Sequence, residues 1–544
     1  LDVRALRSDN VTSAPVASAW SPLRHSTFRW IWIASIASNI GTWMHEVGAG
    51  WLMTSLSANP IAVALVQVAG AAPMFFLALP AGALADVIDK RRFLLAVQLW
   101  MAATALTLTL LTAAGLVTVP LLLGITACMG IGTALMMPAW SALTPELVGK
   151  SELPAAIALS SVGINVARAI GPAIAGILIS LSGPWLTFAL NTVSFVAVIA
   201  VLFFWKRQVE PSVLPAERLV GAMRAGLVFS LESPPLKRAL ARTFAFFLGA
   251  SAGMALLPLL VRGEMQGTAM DFGLLLGSVG VGALVGAAAL PAIRSRISNH
   301  LLVIVASLVY AGVLAALALL RDLIWLIPIM AFSGAAWIAV LSSLQIAVQT
   351  SVPSWVRARV LSVYILVFFG SMAAGGVLWG AVASHYDIGF ALLCASVTLI
   401  VGMLLTLRLT LPVTEAEDIT PSLHWPAPAP PKEEDSDRGP VMVTLEYAIN
   451  QADAEQFTRA MQEVRAMRRR SGALTWGLVQ NTETPDNWLE FFVDGSWLEH
   501  MRHHGRVTKA DQRIESAARR YQQPGVELVI STTSCTQRVA DYRP

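Results

Sequence analysis

The chain has 544 residues, of which 56% are hydrophobic and 13% charged, with a formal net charge of +4. A typical soluble domain carries about 25% charged residues, so this composition excludes a soluble globular fold for most of the chain and predicts a polytopic membrane protein. Loop topology accounts for the small positive charge, and nothing in it argues for a nucleic-acid partner.

Residues 1–27 lack a continuous apolar stretch, so no cleavable signal peptide is expected and this segment reads as a cytoplasmic tail. Apolar runs long enough to cross a hydrocarbon core of about 30 Å then predict a first bundle over 28–205, with helices at 28–56, 60–86, 92–116, 119–142, 153–181 and 184–205. The connector at 206–235 carries Leu219, Met223, Leu227 and Phe229 near helical spacing among Arg218, Arg224 and Glu232, the pattern of an interfacial helix. A second bundle over 236–410 follows, with helices at 236–262, 271–292, 299–319, 323–348, 355–383 and 388–410.

Lys and Arg are retained on the cytoplasmic side of a membrane. One set of loops carries Lys90, Arg91, Arg92, Lys150, Lys206, Arg207, Arg218, Arg224, Lys237, Arg238, Arg242, Arg294, Arg296, Arg357 and Arg359, whereas the opposite loops carry only Arg262 and Arg321. Both termini are therefore expected in the cytoplasm of a cell whose inner membrane holds the chain. Cys128 and Cys394 fall in predicted spans and Cys535 near the C-terminus, so no disulfide framework is expected.

Composition changes abruptly after Arg408. Residues 411–440 mix Pro412, Pro421, Pro426, Pro428, Pro430 and Pro431 with Glu433, Glu434, Asp435 and Asp437, which predicts an extended acidic linker without a packed core. Over 441–535, strands at 441–449, 473–480, 488–493 and 526–531 alternate with helices at 452–470 and 497–520. The order βαββαβ is that of a small α+β ferredoxin-like domain; residues 536–544 form a short tail.

Two segments repeat at an offset of 204 residues. Residues 82–92 align with 286–296, keeping the glycine and the basic end, and Gly171 and Gly176 fall on Gly375 and Gly380. Duplication of half a membrane domain is how many secondary transporters are built. The expected fold class is thus an all-α polytopic membrane protein with twelve transmembrane helices in two pseudo-repeated six-helix bundles, followed by the α+β domain, with function between the halves.

The loop between the second and third helices is the most specific signal. Gly82 permits close packing four residues before Asp86, which can cap or pair with a positive helix terminus, and Lys90, Arg91 and Arg92 follow. Enforcing topology is the plainer role for these charges. The pattern resembles that of the major facilitator superfamily, in which the loop aspartate helps latch the two halves; this implies a latch of Gly82, Asp86, Lys90, Arg91, Arg92, Arg294 and Arg296. Two positions depart from it, Val87 where the family has arginine and Asp89 where it has glycine. Residues 167–176 resemble the glycine-proline motif of the superfamily's antiporters, through Gly171, Pro172 and Gly176, with Ala167 and Ala175 in place of two glycines. Residues 138–148 and 153–156 extend the likeness to the branch that holds the enterobactin exporter and related effector exporters. That resemblance implies proton-coupled efflux of a small organic molecule, such as a siderophore, a drug or another amphipathic metabolite.

His45 and Glu46 near the middle of the first helix and Arg168 in the fifth would each cost roughly 2.5–3.5 kcal/mol facing lipid, so all three are expected to face an interior cavity. Their partners at the 204 offset are Gly249, Ala250 and Met372, which confines the charge to one half. Glu46 is the proton-coupling candidate, with His45 or Arg168 tuning it through charge and burial; a buried interhelical contact is the alternative. Further cavity candidates are Asn39, Trp43, Gln67, Asn165, Asn191, Trp337, Gln345 and Gln349, each of which could equally be core, while Trp30 and Trp32 read as interfacial anchors.

In the tail, His500, His503 and His504 share a helical face without a completing ligand, so no metal or other cofactor is expected. Arg465, Arg468, Arg469 and Arg470 read as a solvated face, with contact to anionic lipid as the alternative. The domain resembles the dimeric α/β barrel family that includes monooxygenases; it reads as a dimerisation module, forming a homodimer through 441–535, or a regulatory one, with a membrane-tethered oxygenase as the competing reading. Lipid flipping on the same fold is a third. The expected partners are a small organic substrate, protons and the lipid bilayer.

Overall fold

The computed structural model describes residues 20–149, 152–205, 219–410 and 440–534, with residues 418, 422, 424 and 425 between. A first group holds α1 (Ser26–Leu56), α2 (Pro60–Val87), α3 (Lys90–Ala113), α4 (Val119–Leu147), α5 (Leu153–Ser182) and α6 (Trp185–Phe204). The connector forms α7 (Leu219–Glu232). A second group holds α8 (Pro234–Leu259), α9 (Ala269–Arg294), α10 (Asn299–Leu319), α11 (Leu323–Thr350), α12 (Ser354–His385) and α13 (Ile388–Thr406).

Among the described residues, eleven helices are long and apolar enough to cross a bilayer. The long helix missing from the expected twelve is α1. Its 31 residues give ample length, but Asn39, Thr42, His45 and Glu46 interrupt its apolar run. It nonetheless packs along α5 and α6 within the first group.

The two groups share one neighbour pattern. In the first, α1 packs on α5 and α6, α2 on α4, and α3 on α4 and α6; in the second, α8 packs on α12 and α13, α9 on α11, and α10 on α11 and α13. The groups meet along two seams, α5 with α9 and α2 with α12, which the repeat also relates. Small residues set both. A Cβ at Gly176 would lie 2.8 Å from the Ala269 carbonyl oxygen, and one at Gly380 would lie 3.1 Å from Ile61 Cα. The motif glycines one turn earlier work inside each group, Gly171 against α1 and Gly375 against α8. These seam contacts sit in the half of the bundle away from the basic loops.

Helix ends are fixed by side chains that satisfy free backbone amides. Asn59 Oδ1 accepts from Ile61 N at 3.0 Å to start α2, and Asp89 Oδ1 accepts from Arg92 N at 2.9 Å to start α3. Thr268 and Asp271 form a capping box at α9.

The tail comprises β1 (Val441–Ala448), α14 (Ala454–Ser471), β2 (Thr475–Gln480), β3 (Asn487–Asp494), α15 (Trp497–Arg506), α16 (Lys509–Arg519) and β4 (Val529–Ser534). Its antiparallel sheet has the order β2-β3-β1-β4. The helix predicted over 497–520 is broken in two, because Thr508 and Asp511 form a capping box that starts α16 afresh. Val443, Leu445, Tyr447 and Phe492 pack with Phe457, Met461 and Val464 of α14 on the covered face. On the opposite face Met442 pairs in register with Val493 and Thr533, and Val479 pairs with Leu489; Met442, Val479 and Val529 are exposed there.

The linker departs from expectation. Ser422 N donates to Val507 O at 2.9 Å, and Ala510 N to Asp418 O at 3.0 Å, so these linker positions lie on the tail and are not free of it. The tail in turn touches the membrane part: Arg469 Nε lies 3.5 Å from Glu232 Oε1 on α7, and the Arg506 guanidinium lies 4.4 Å from the Trp355 ring on α12. Helix α7 packs on α12, with Gly226 against Arg359.

Candidate functional site

Residues three and four apart share a face of a helix, which aligns Ser35, Asn39, Trp43 and Glu46 along α1. Glu46 is exposed although Met44, His45, Val47 and Gly48 around it are buried. On α5 the corresponding stripe is Ile157, Ser161, Ile164 and Arg168. The Arg168 guanidinium lies 5.2 Å from the Trp43 ring, a cation–π contact that is strongest where water is excluded. Gly171 makes this approach feasible, since a Cβ there would lie 2.7 Å from Trp43 Cβ and 3.2 Å from Ile40 O. Glu46 and Arg168 act on each other electrostatically, with no ion pair between them among the described residues.

Along the same two faces, toward the basic loops, lies a cavity of about 330 Å³ lined by Ile36 and Asn39 of α1, Thr144 of α4, and Ser161 and Ile164 of α5, among others. Asn165 borders this stripe but donates back to Ser161 O at 2.9 Å. Trp32, read as a membrane anchor, instead donates to Leu159 O at 3.0 Å and ties α1 to α5.

His45 does not face this site. It is 4% exposed, its ring meets Phe188 edge-on at 4.8 Å, and neither ring nitrogen has a partner. Consecutive helical residues point about 100° apart, so His45 turns toward α6 while Glu46 turns away. Asn191 is likewise fully buried, packed where a Cβ at Gly41 would touch its Oδ1 at 2.7 Å; it belongs to the α1–α6 contact.

The second group differs at the equivalent positions. Ala250, in register with Glu46, accepts from the Tyr310 hydroxyl at 3.2 Å, and Met372, in register with Arg168, lies 4.0 Å from Gln67 Nε2 across the α2–α12 seam. Trp337 sits among Phe247 at 5.0 Å, Tyr310 at 6.1 Å and Phe368 at 6.3 Å. Gln345 is exposed and Gln349 half-buried on the same face of α11.

Three basic residues of the loop motif have partners within their own groups. Lys90 Nζ lies 2.8 Å from Glu146 Oε1, Arg91 donates to the Leu202 carbonyl at 2.9 Å and also to that of Phe203 at the end of α6, and Arg294 Nη2 donates to Ser342 Oγ at 2.7 Å. Arg92 and Arg296 are exposed. Gly82 and Asp86 lie in the last turns of α2; their side chains are outside the described residues.

In the tail, Arg468 is not on a solvated face. It is 1% exposed and donates from Nε to Glu490 Oε1 at 2.9 Å and from Nη1 to Glu515 Oε1 at 2.6 Å. The spacing of Phe457, Met461, Val464 and Arg468 carries that signal, because it puts the arginine on the apolar face of α14. His500 Nδ1 and His503 Nδ1 lie 2.9 and 3.1 Å from the Asp494 carboxylate. Among the described residues no group of three His, Cys, Asp or Glu side chains is placed to hold a metal ion.

A family model described as transmembrane secretion effector matches residues 17–539. The chain is 26% identical over 384 residues to the MFS-type transporter YfiS of Bacillus subtilis, covering 68% of this chain and 89% of that protein. It is 28% identical over 165 residues to the staphyloferrin A transporter of Staphylococcus aureus, covering 30% and 42%, and 26% identical over 300 residues to the enterobactin exporter EntS of Salmonella typhi, covering 53% and 71%. Among solved structures, the nucleoside transporter NupG aligns with a TM-score of 0.54 at 13% identity over 70% of this chain and 98% of that one. A POT family transporter in complex with 5-aminolevulinic acid aligns at 0.57 and 12%, over 70% and 95%.

Proposed function

Because the chain belongs to the transmembrane secretion effector family of major facilitator transporters, we propose that it exports a small amphipathic organic molecule in exchange for protons, by alternating access across twelve spans that include α1. It is a membrane transporter and not an enzyme; the family match runs through the tail as well as the membrane part, so the tethered-oxygenase reading is set aside.

One observation carries the coupling assignment: Glu46 is exposed in the middle of a helix whose neighbouring positions are buried, with Arg168 held beside it on Trp43. A carboxylate at that depth is costly unless it serves a water-filled pathway. With the basic loops placed in the cytoplasm, the seam contacts lie toward the outside and the cavity toward the inside. We read this as an inward-open state, in which Glu46 would be reached from the cytoplasm. Gly82, Asp86 and the basic residues at 90–92, 294 and 296 then act as the latch of the opposite, outward-open state.

The charged pair of Glu46 and Arg168, with the Trp43 ring beside it, suits a substrate with both planar apolar and polar parts. The relatives named for staphyloferrin A and enterobactin point to siderophores as the first class to assay. We read the tail as a ferredoxin-like domain that dimerises through its open sheet face, around Met442, Val479, Phe491 and Val529.

Export from vesicles under an imposed pH gradient tests the coupling. Glu46→Gln is expected to abolish gradient-driven export while leaving substrate exchange; unchanged gradient-driven export would remove Glu46 from the mechanism. Cross-linking of full-length protein carrying Met442→Cys tests the dimer.

A further inference from the structure

The covered side of the tail contains a built site that a linker residue fills. Trp425 lies half-buried over a floor of nearly inaccessible side chains: Arg468 at 1% exposure, Phe492 at 1%, His503 at 0% and Glu515 at 3%. Its indole Nε1 donates to Glu515 Oε1 at 3.1 Å and approaches Oε2 at 3.3 Å. The Arg468 guanidinium stands 4.8 Å from both the Trp425 and Phe492 rings. His503 and His504 flank the indole, with ring centroids at 5.2 and 4.9 Å.

Several features distinguish this from an ordinary core contact. Trp425 enters from the proline-rich linker and not from an element of the domain, with His424 Nε2 beside it 2.9 Å from Glu515 Oε2. The charged residues beneath it are already paired with one another, Arg468 with Glu490 and Glu515, so the floor does not need the indole to be neutralised. The fit is also incomplete. His503 Nε2 is buried without a partner, while His503 Nδ1 is fixed on Asp494. A ring with a single N–H satisfies Glu515 and leaves that nitrogen unmet, a penalty that a second polar atom on the ring would relieve.

We propose that the tail carries a small-molecule site, separate from the membrane cavity, formed by Arg468, Phe492, His503, His504 and Glu515, which takes a planar aromatic ligand bearing N–H or O–H donors, and that Trp425 occupies it as an intramolecular stand-in. The ligand stacks on the Arg468–Phe492 floor, donates to Glu515 and meets His503 Nε2 with its second polar atom. Ligand and Trp425 are mutually exclusive, so binding releases the linker. The proposal is independent of which molecule the membrane part exports.

Calorimetric titration of the detergent-solubilised full-length protein with catechol and with indole tests it. The wild-type chain is expected to bind catechol saturably, more tightly than indole. Trp425→Gly removes a tethered competitor of millimolar effective concentration and is expected to tighten catechol binding about tenfold or more. Glu515→Gln weakens it in both backgrounds, which places the binding in the tail. Trp425→Phe, which keeps the ring and loses the N–H, is expected to fall between wild type and Trp425→Gly, and serves where the glycine variant does not fold. A wild-type protein that binds neither probe up to their solubility, or binding that Glu515→Gln leaves unchanged, would overturn the site.

Discussion

Gly176 and Gly380 make equivalent contacts on the two flanks of the molecule: each lets a helix of one six-helix group rest on the backbone of the other, α5 on α9 and α12 on α2. They are 204 residues apart, so the repeat in the sequence is a repeat in the machinery that brings the halves together.

Filling either contact should therefore have the same effect. Gly176→Leu and Gly380→Leu are each expected to force the seam apart, since overpacking costs about 1–3 kcal/mol and about 1.4 kcal/mol shifts a two-state population tenfold. Cysteine cross-linking across the α5–α9 and α2–α12 seams should drop in both variants, with transport falling by about the same factor in each.

Trp43 is expected to matter through its face. Trp43→Phe keeps a ring beneath Arg168 and should retain most export. Trp43→Ala should lose about tenfold, in line with about 1–2 kcal/mol for a partly desolvated cation–π contact. Initial export rates against substrate concentration check this, and equal losses in both variants would assign Trp43 to packing alone.

Arg468→Ala leaves Glu490 buried with hydrogen bonds from Tyr447 and Trp476 but without its cation, and leaves Glu515 with only His424 and the more exposed Arg519 as basic partners. Breaking a buried ion pair from one side costs about 3–5 kcal/mol, enough to unfold a small domain. Proteolysis should then cut the tail of the variant selectively, while the membrane part stays resistant.

Acid should loosen the tail in two stages. Burial, reinforced by His500 and His503, pulls His504 down to about 4, so the folded tail resists a proton that the unfolded chain accepts near pH 6.5, and stability falls as pH drops from about 6.5 toward 4. Burial works against the charge of Glu515, but Arg468, the His424 hydrogen bond and Arg519 outweigh it and hold the carboxyl down to about 2. Its stabilisation is complete above the ordinary carboxylate range and is lost as pH falls from about 4.5 toward 2. Urea unfolding of the tail within the full chain, followed from pH 7 to 3, should show declining midpoints throughout, and His504→Gln should flatten the upper stage.

Much of this architecture is legible in the residues alone. Apolar runs and the 204 offset foretell two similar helix groups, because burial in a bilayer leaves a long, simple signature in sequence. Polarity hides what local pattern does not resolve: α1 reads as less apolar because it carries the charged face, and the pair His45–Glu46, adjacent in sequence, separates in space because a helix turns about 100° at each residue. Asn191 reads as a cavity residue but serves a helix contact, a distinction that depends on tertiary packing. Arg468 is legible in hindsight through its place on the apolar stripe of α14. Trp425 is not, since nothing in a proline-rich linker announces where its one large aromatic side chain will dock.

The ties of the tail run to Glu232 on α7 and Trp355 on α12, and α7 itself rests on α12. If the two groups rock against each other as proposed, the tail travels chiefly with the second, on which α7 makes most of its contacts. Each turn of the transport cycle would swing it like an arm on a hinge relative to the first six helices, so that a soluble partner gripping the tail would feel, as a mechanical displacement, which way the membrane part is facing.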